Sequence, residues 1–464
     1  MNQALGSCYS YHLDAACMFE LLQGEAIMMF KKTVVSWSVA SAMWVMAGSA
    51  VAAGGFSLIE QSGSGMGNAF AGGAASAEDA STIYYNPAGM SRLSGTQIAV
   101  ALIAIRPSAQ FTPSATAAGA LLQTVGNNGG DPGSWGFVPN GYFTTEVNPA
   151  LKVGLGMNVP FGLQTNYDAA WIGRFQAIKS KIQTINLNPS FSYQVRDNVS
   201  LGAGLSYQRI TGELTSMTNY SAAAAAFGVL GLVGTNKEGL TTISGSDSAW
   251  GYNLGVLVNV TPETRVGLSY RSTINYTLKG AVSFADRPAV LAAGIPDGAV
   301  SLAIKMPDTF SASIFHQLSG KWDVMADATW TGWSVLQQLK IDRSTGANLL
   351  TVPENWKDTW SFAVGANHHY NDQWTARMGL AYDQTPVPDA FRTACIPDQN
   401  RTWLSLGGQY KPSKKSAIDL AYTHLFIPNA TIADNQTAGG KGNLAGVYSS
   451  IATNILSVQY AHNF

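Results

Sequence analysis

The chain has 464 residues, a net charge of −1 and 12% charged residues, about half the share usual in soluble domains. Balanced charge excludes the basic surface that nucleic acid demands. A near-neutral mean hydropathy excludes a bundle of membrane helices, and no run after the N-terminal region reaches the ~18 apolar residues of a spanning helix.

The first element is a leader. Within residues 28–53, Lys31 and Lys32 form a basic start, Val34 to Met46 an apolar core, and Ala50-Val51-Ala52-Ala53 a small-residue cleavage site. That is the anatomy of a secretory signal peptide, and the core is too short for a membrane anchor. Residues 1–27 match no element, which points to translation from Met28 or Met29. Cys8 and Cys17 precede the cleavage site, so Cys395 is left alone and no internal disulfide is expected.

Next comes GSGMGNAFAGGAASAEDASTIYYNPAGM, residues 63–90, rich in glycine and alanine. It follows no buried strand and contains no Gly-Lys-Ser/Thr, so it is not a phosphate loop. Ile83, Tyr84, Tyr85 and Met90 are too apolar for a solvated linker. Short helices and tight turns packed as a compact plug suit this composition. The reading is a hatch at 54–96, between a removed segment at 1–53 and a strand-rich region at 97–464.

That region alternates with period 2. From Trp250, the even positions Trp250, Tyr252, Leu254, Val256, Val258 and Val260 share one face; Gly251, Asn253, Gly255, Leu257 and Asn259 share the other. After Thr261-Pro262-Glu263, the set Val266, Leu268, Tyr270, Ile274, Tyr276 and Leu278 is expected on one face of a single strand. Strands of roughly 10–15 residues exceed the usual length. Trp322 and Trp330, and Trp374 and Tyr382, lie a rise of about 20–25 Å apart, the height of an apolar band between two aromatic girdles. The fold expected is an all-β, transmembrane antiparallel β-barrel of about 14 strands, with short turns at one end and long loops at 110–134, 214–248, 280–301, 334–356, 385–399 and 429–452. The last strand closes on Phe464, the terminal aromatic that outer-membrane assembly machinery reads. These features place the chain in a Gram-negative outer membrane; a monomer in contact with membrane lipid and lipopolysaccharide is expected, although no sequence feature reads the oligomeric state.

Two separated motifs carry a resemblance. GFSLIEQSGSGMGNAFAGGAASAEDASTIYYNPAGM, from Gly55, resembles the mature start of FadL/TodX-family proteins, the long-chain fatty acid transporters, and Asn86-Pro87-Ala88 matches that family's Asn-Pro-Ala signature. DQWTARMGLAYDQTPVP and IPDQNRTWLSLGGQY resemble its C-terminal strands. The resemblance covers nearly all of 54–464. It implies a plugged barrel that passes hydrophobic ligands without an energy source, no enzyme activity and no cofactor. It also implies a ligand-pocket role for Phe56, head-group contacts for the basic residues Arg209 and Lys340, and an inward kink at Pro160, Phe161 and Gly162 that opens the wall sideways. Asn86, Pro87 and Ala88 are expected to lock the hatch.

The apolar run SAAAAAFGVLGLVG, residues 221–234, is too short to span a bilayer and reads as a capture site through Phe227 and Leu230. Four rival readings stand beside this one. An uptake channel for aromatic hydrocarbons remains the main alternative. A lipase-type enzyme needs a serine paired with a histidine, and none of His316, His368, His369, His424 and His462 is marked by such a pairing; His368 and His369, adjacent in a strand, face opposite ways and make no metal site. An open porin has no hatch, and an energised transporter has a far larger plug.

Overall fold

The computed structural model describes residues 54–464. The expected leader, its cleavage site and the alternative start codons lie outside the described residues. One antiparallel sheet of twenty strand segments makes the wall. In chain order these are β1 (Thr96–Pro113), β2 (Gly136–Asn148), β3 (Leu151–Asn158), β4 (Gly162–Asn166), β5 (Lys179–Arg196), β6 (Val199–Asn219) and β7 (Glu238–Asn259). Then come β8 (Thr264–Arg271), β9 (Ile274–Phe284), β10 (Gly298–Met306), β11 (Thr309–Ser319), β12 (Trp322–Thr331), β13 (Gln338–Arg343) and β14 (Asn348–Pro353). The last are β15 (Thr359–His369), β16 (Trp374–Asp383), β17 (Arg401–Ser413), β18 (Ser416–Phe426), β19 (Ala430–Asn435) and β20 (Asn443–Asn463). Six consecutive pairs are two parts of one wall strand: β3 with β4, β8 with β9, β10 with β11, β12 with β13, β14 with β15, and β18 with β19. The wall is a closed barrel of fourteen strands, shut where β1 pairs β20 from Gln97↔Asn463 to Pro113↔Gly446.

Alternation sets the two faces. Trp250 is 65% exposed and Leu254 49%, while Gly251, Asn253 and Gly255 between them are buried. A soluble sandwich buries its apolar face; here that face points outward, to lipid, and the polar face inward. The wall also rises above the expected loops. β6 and β7 stay paired up to Asn219↔Glu238, and β7 has 22 residues against the ~9–11 a tilted strand needs to cross. Much of 214–248 is therefore strand, because pairing satisfies backbone groups that a loop would have to hand to water.

The expectation that Val266, Leu268, Tyr270, Ile274, Tyr276 and Leu278 share a face is corrected. Leu268 is exposed, but Ile274, Tyr276 and Leu278 are buried. Arg271 pairs Asn253, whereas Lys279 pairs Ser246, so one extra residue sits on the β8–β9 side. The Ser272 hydroxyl accepts from the Tyr252 N–H at 3.0 Å and fills the gap in the ladder. A one-residue bulge reverses which face each later side chain takes.

Residues 54–95 pack against the inner face of the wall. They form short helices at Gly63–Met66, Gly73–Ser76 and Thr82–Tyr85 and a 3₁₀ turn at Pro87–Arg92. Ser62 caps the first, its hydroxyl accepting from the Gly65 N–H. Bonds run from this segment to opposite sides of the barrel: Asn86 Nδ2 donates to Val256 O at 3.0 Å, the Gly63 N–H to Gln459 Oε1 at 2.9 Å, and Arg377 pairs Glu78 at 2.8 Å.

Candidate functional site

Above the N-terminal segment lies an apolar sleeve that encloses about 830 Å³ of space, part of it open to solvent. The β8–β9 bulge supplies part of it, since it turns Ile274, Tyr276 and Leu278 inward beside Ile304 and Met306 of β10. Leu336, Leu339 and Ile341 come from the β12–β13 side. The floor is aromatic. Phe56 packs edge-on to Trp333 at 4.9 Å, against Trp356 at 5.5 Å and Phe161 at 6.1 Å between ring centroids. The sleeve opens upward into a vestibule of about 1510 Å³ that also borders Glu354, Cys395, Leu339 and Ile341. Below the floor, a chamber of about 1010 Å³ is lined by polar groups such as Arg271, Asp327, Thr329 and Asp383.

Polar groups in the sleeve are few. Glu354 is buried; its Oε2 accepts from Trp356 Nε1 at 2.8 Å, and burial pushes the carboxyl up to about 7. Burial likewise pushes the Cys395 thiol up to about 11, so it stays neutral.

One wall strand breaks beside the sleeve. Asn158 pairs Asn186 and Gly162 pairs Gln183, so β4 is one residue out of step with β3 along β5. Between them, Val159 to Phe161 turn into the lumen and bond to the N-terminal segment. Gln61 Nε2 donates to Val159 O at 2.8 Å and Gln61 Oε1 accepts the Val159 N–H at 3.2 Å. The Leu58 N–H donates to Pro160 O at 2.8 Å, and the Gly162 N–H to Phe56 O at 2.9 Å. The Phe161 N–H donates to Thr184 Oγ1 at 2.9 Å. Pro160 has no N–H to satisfy. On the other flank, β2 leaves β3 at Gly141↔Met157 but follows β1 on to Ile105↔Gly136. Residues 136–140 thus have no strand partner on the β3–β4 side, and Pro139, without a donor, sits on that edge. A cavity of about 530 Å³ shares Leu163 and Ile396 with the sleeve and reaches Pro132, Gly133 and Gln164 on this side.

Phe56 and the kink residues Pro160, Phe161 and Gly162 therefore meet at one place. Asn86, Pro87 and Ala88 form a buried turn: Asn86 Nδ2 also donates to Ala74 O at 2.7 Å, and its Oδ1 accepts the Ala88 N–H at 3.0 Å. Phe227 and Leu230 lie on the high β6–β7 hairpin. The Phe227 ring rests on Gly294, while Leu230 is 80% exposed. Arg209 and Lys340 require correction. Arg209 is exposed on the outer face, in step with Leu205 and Tyr207, and bonds Ser246 Oγ at 3.1 Å. Lys340 is exposed and pairs Asp342 at 3.3 Å, while its neighbours Leu339 and Ile341 take the inner face. Strand parity turns both away from the sleeve, and the same parity in the sequence carried that signal. The floor residues Trp333 and Trp356, and the bridging Gln61 and Glu354, went unmarked: nothing local separates them from girdle tryptophans and ordinary polar residues.

Residues 44–464 match the model of the outer membrane protein transport protein family, OMPP1/FadL/TodX. The chain belongs to this family. It is 32% identical over 434 residues to outer membrane protein P1 of Haemophilus influenzae, covering 88% of this chain and 93% of that one. It is 26% identical over 426 residues to the long-chain fatty acid transport protein of Escherichia coli strain K12, covering 86% and 93%. A crystal structure of a Pseudomonas aeruginosa FadL homologue matches with a TM-score of 0.81 at 28% identity, covering 89% of this chain and all of that one. The chain is a Gram-negative outer-membrane barrel for hydrophobic ligands.

Proposed function

We propose that the protein carries long-chain fatty acids passively across the outer membrane. The observation that carries this reading is a run of cavities that share lining residues, from the vestibule through the sleeve to a side cavity behind the wall gap, with Phe227 and Leu230 exposed on the β6–β7 hairpin. An alkyl chain suits a long sleeve, and the E. coli relative is named for such ligands. The N-terminal segment acts as the hatch, and Phe56 is its movable contact with the ligand.

The chamber below the floor is one route, and there an acyl chain meets the charged groups Arg271, Asp327 and Asp383 within a mostly apolar lining. The gap at Pro160 to Gly162 offers an apolar one, sideways into the bilayer. Ligand in the sleeve displaces Phe56, and Phe56 O is what holds the Gly162 N–H. Capture and exit are thereby joined through one residue.

The test is uptake of radiolabelled oleate and of toluene by cells whose only member of this family is this chain. Oleate uptake that competes with other long-chain acids supports the reading. Toluene uptake without oleate uptake replaces it with the aromatic-hydrocarbon alternative.

A further inference from the structure

The sleeve offers its ligand an acid and no base. Arg209 and Lys340 face away. Lys181 and Glu213 border the cavity, but Lys181 keeps the outward parity of Phe191 and Tyr193 on β5, and Glu213 that of Leu205 and Tyr207 on β6. Glu354 does face in. It borders both the sleeve and the vestibule, one oxygen takes the Trp356 N–H, and the other has no partner among the described residues. Its surroundings are the neutral Cys395 thiol and the Asp434 carboxyl of β19. Arg392, which lines the vestibule, is already bound to Asp389 and to the carbonyls of Asp398 and Thr431. Lys441 also lines it and shares its field with Asp434.

Resting on the fatty-acid reading, we propose that Glu354 is the head-group receptor of the sleeve and takes the ligand as one carboxylic acid and one carboxylate sharing a single proton. Two carboxylates with no cation between them cannot both ionise at hydrogen-bond distance. One O–H must stay, donated from either partner to the other's oxygen, and the net charge of the pair is −1. The same geometry accepts a neutral alcohol and, once Glu354 is ionised, an ammonium. It rejects a ligand carboxylate once Glu354 is itself ionised. The elevated Glu354 carboxyl fixes the pH range in which this shows.

The test uses the purified full chain in detergent, with dodecanoic acid, dodecanol and dodecylamine titrated from pH 5.5 to 8.5 and binding read by tryptophan fluorescence and calorimetry. Dodecanoic acid affinity is expected to fall about tenfold per pH unit above 7, beyond the ligand's own titration. Dodecylamine affinity rises through the same range, and dodecanol stays flat. Glu354→Gln keeps an acceptor for Trp356, so it is expected to remove the Glu354 part of the acid's pH dependence and to weaken dodecylamine at least tenfold. Identical acid profiles in wild type and Glu354→Gln, with dodecanol still bound, would overturn this inference alone. Failure of all three ligands to bind would overturn the acyl-chain reading, and this inference with it.

Discussion

At the scale of single residues, the N-terminal segment is held by polar groups rather than by a large apolar surface. Asn86 shows how much rests on one side chain: it is fully buried and makes three bonds, to Ala74 O, Val256 O and the Ala88 N–H. Gly255 makes room for it, since a Cβ there would sit 1.9 Å from Asn86 Oδ1. Asn86→Ala leaves buried partners unmet, at about 1–3 kcal/mol each. Faster hydrogen exchange across residues 60–92, with the wall unchanged, is the expected result. Glu60 works the other way. It is fully buried, neither carboxyl oxygen has a hydrogen-bond partner among the described residues, and burial pushes it from 4.5 to about 8. A raised acid is stabilising in its neutral form below pH 4.5 and loses that stability as pH climbs toward 8, by about 1.4 kcal/mol per unit. Glu60→Gln removes the proton dependence, so at pH 8 its hatch is expected to exchange more slowly than wild type. Equal protection factors at pH 5 and pH 8 in the wild type, each taken relative to the intrinsic exchange rate at that pH, would contradict the account. Asn86 was legible in the sequence because its neighbours form a compact motif. Glu60 was not, since its isolation is created by Tyr84, Tyr85 and the wall folding over it.

At the scale of elements, the wall strands were legible and their interruptions only partly so. Alternation predicts which face each residue takes as long as no residue is inserted. Two insertions, at Pro160 and at Ser272-Thr273, reverse the faces downstream. Pro160 announced itself, because proline cannot donate to a ladder. Ser272 and Thr273 look like ordinary strand residues, so the inward turn of Ile274, Tyr276 and Leu278 was hidden. Both insertions bear on the proposed ligand path: one breaks the pairing of the wall and the other turns Ile274, Tyr276 and Leu278 into the sleeve. Deleting Pro160 brings β4 back into step with β3 and returns the wall to β2. The expected outcome is a heat-stable, membrane-inserted barrel that still binds ligand in detergent but loses most oleate uptake. Undiminished uptake would point to a route through the lumen instead.

At the scale of the whole molecule, a barrel of fourteen strands is wide enough to leak unless its lumen is filled. With the N-terminal segment as the proposed hatch, the seal depends on how that segment is fastened to the wall. Arg377 is the central fastening: it pairs Glu78 of the hatch at 2.8 Å and Asp419 of β18 at 3.2 Å, and Asn367 donates to Glu78 at 3.2 Å. Burial alone would raise the Glu78 carboxyl, but Arg377 outweighs it and holds Glu78 below its ordinary 4.5. A lowered acid stabilises the folded state above its unfolded value and loses that contribution as pH falls through the folded one. The wild-type seal is thus expected to hold at neutral pH and to weaken in acid below 4.5. Arg377→Met strands Glu78 and Asp419 as buried charges, at a cost of about 3–5 kcal/mol. In planar bilayers at pH 7 the variant should conduct ions in frequent openings where the wild type is nearly silent. Adding Glu78→Gln to Arg377→Met removes one stranded charge and should restore part of the closed state. A double variant that leaks as much as Arg377→Met would mean that the seal rests on packing, with the ion pair incidental to it.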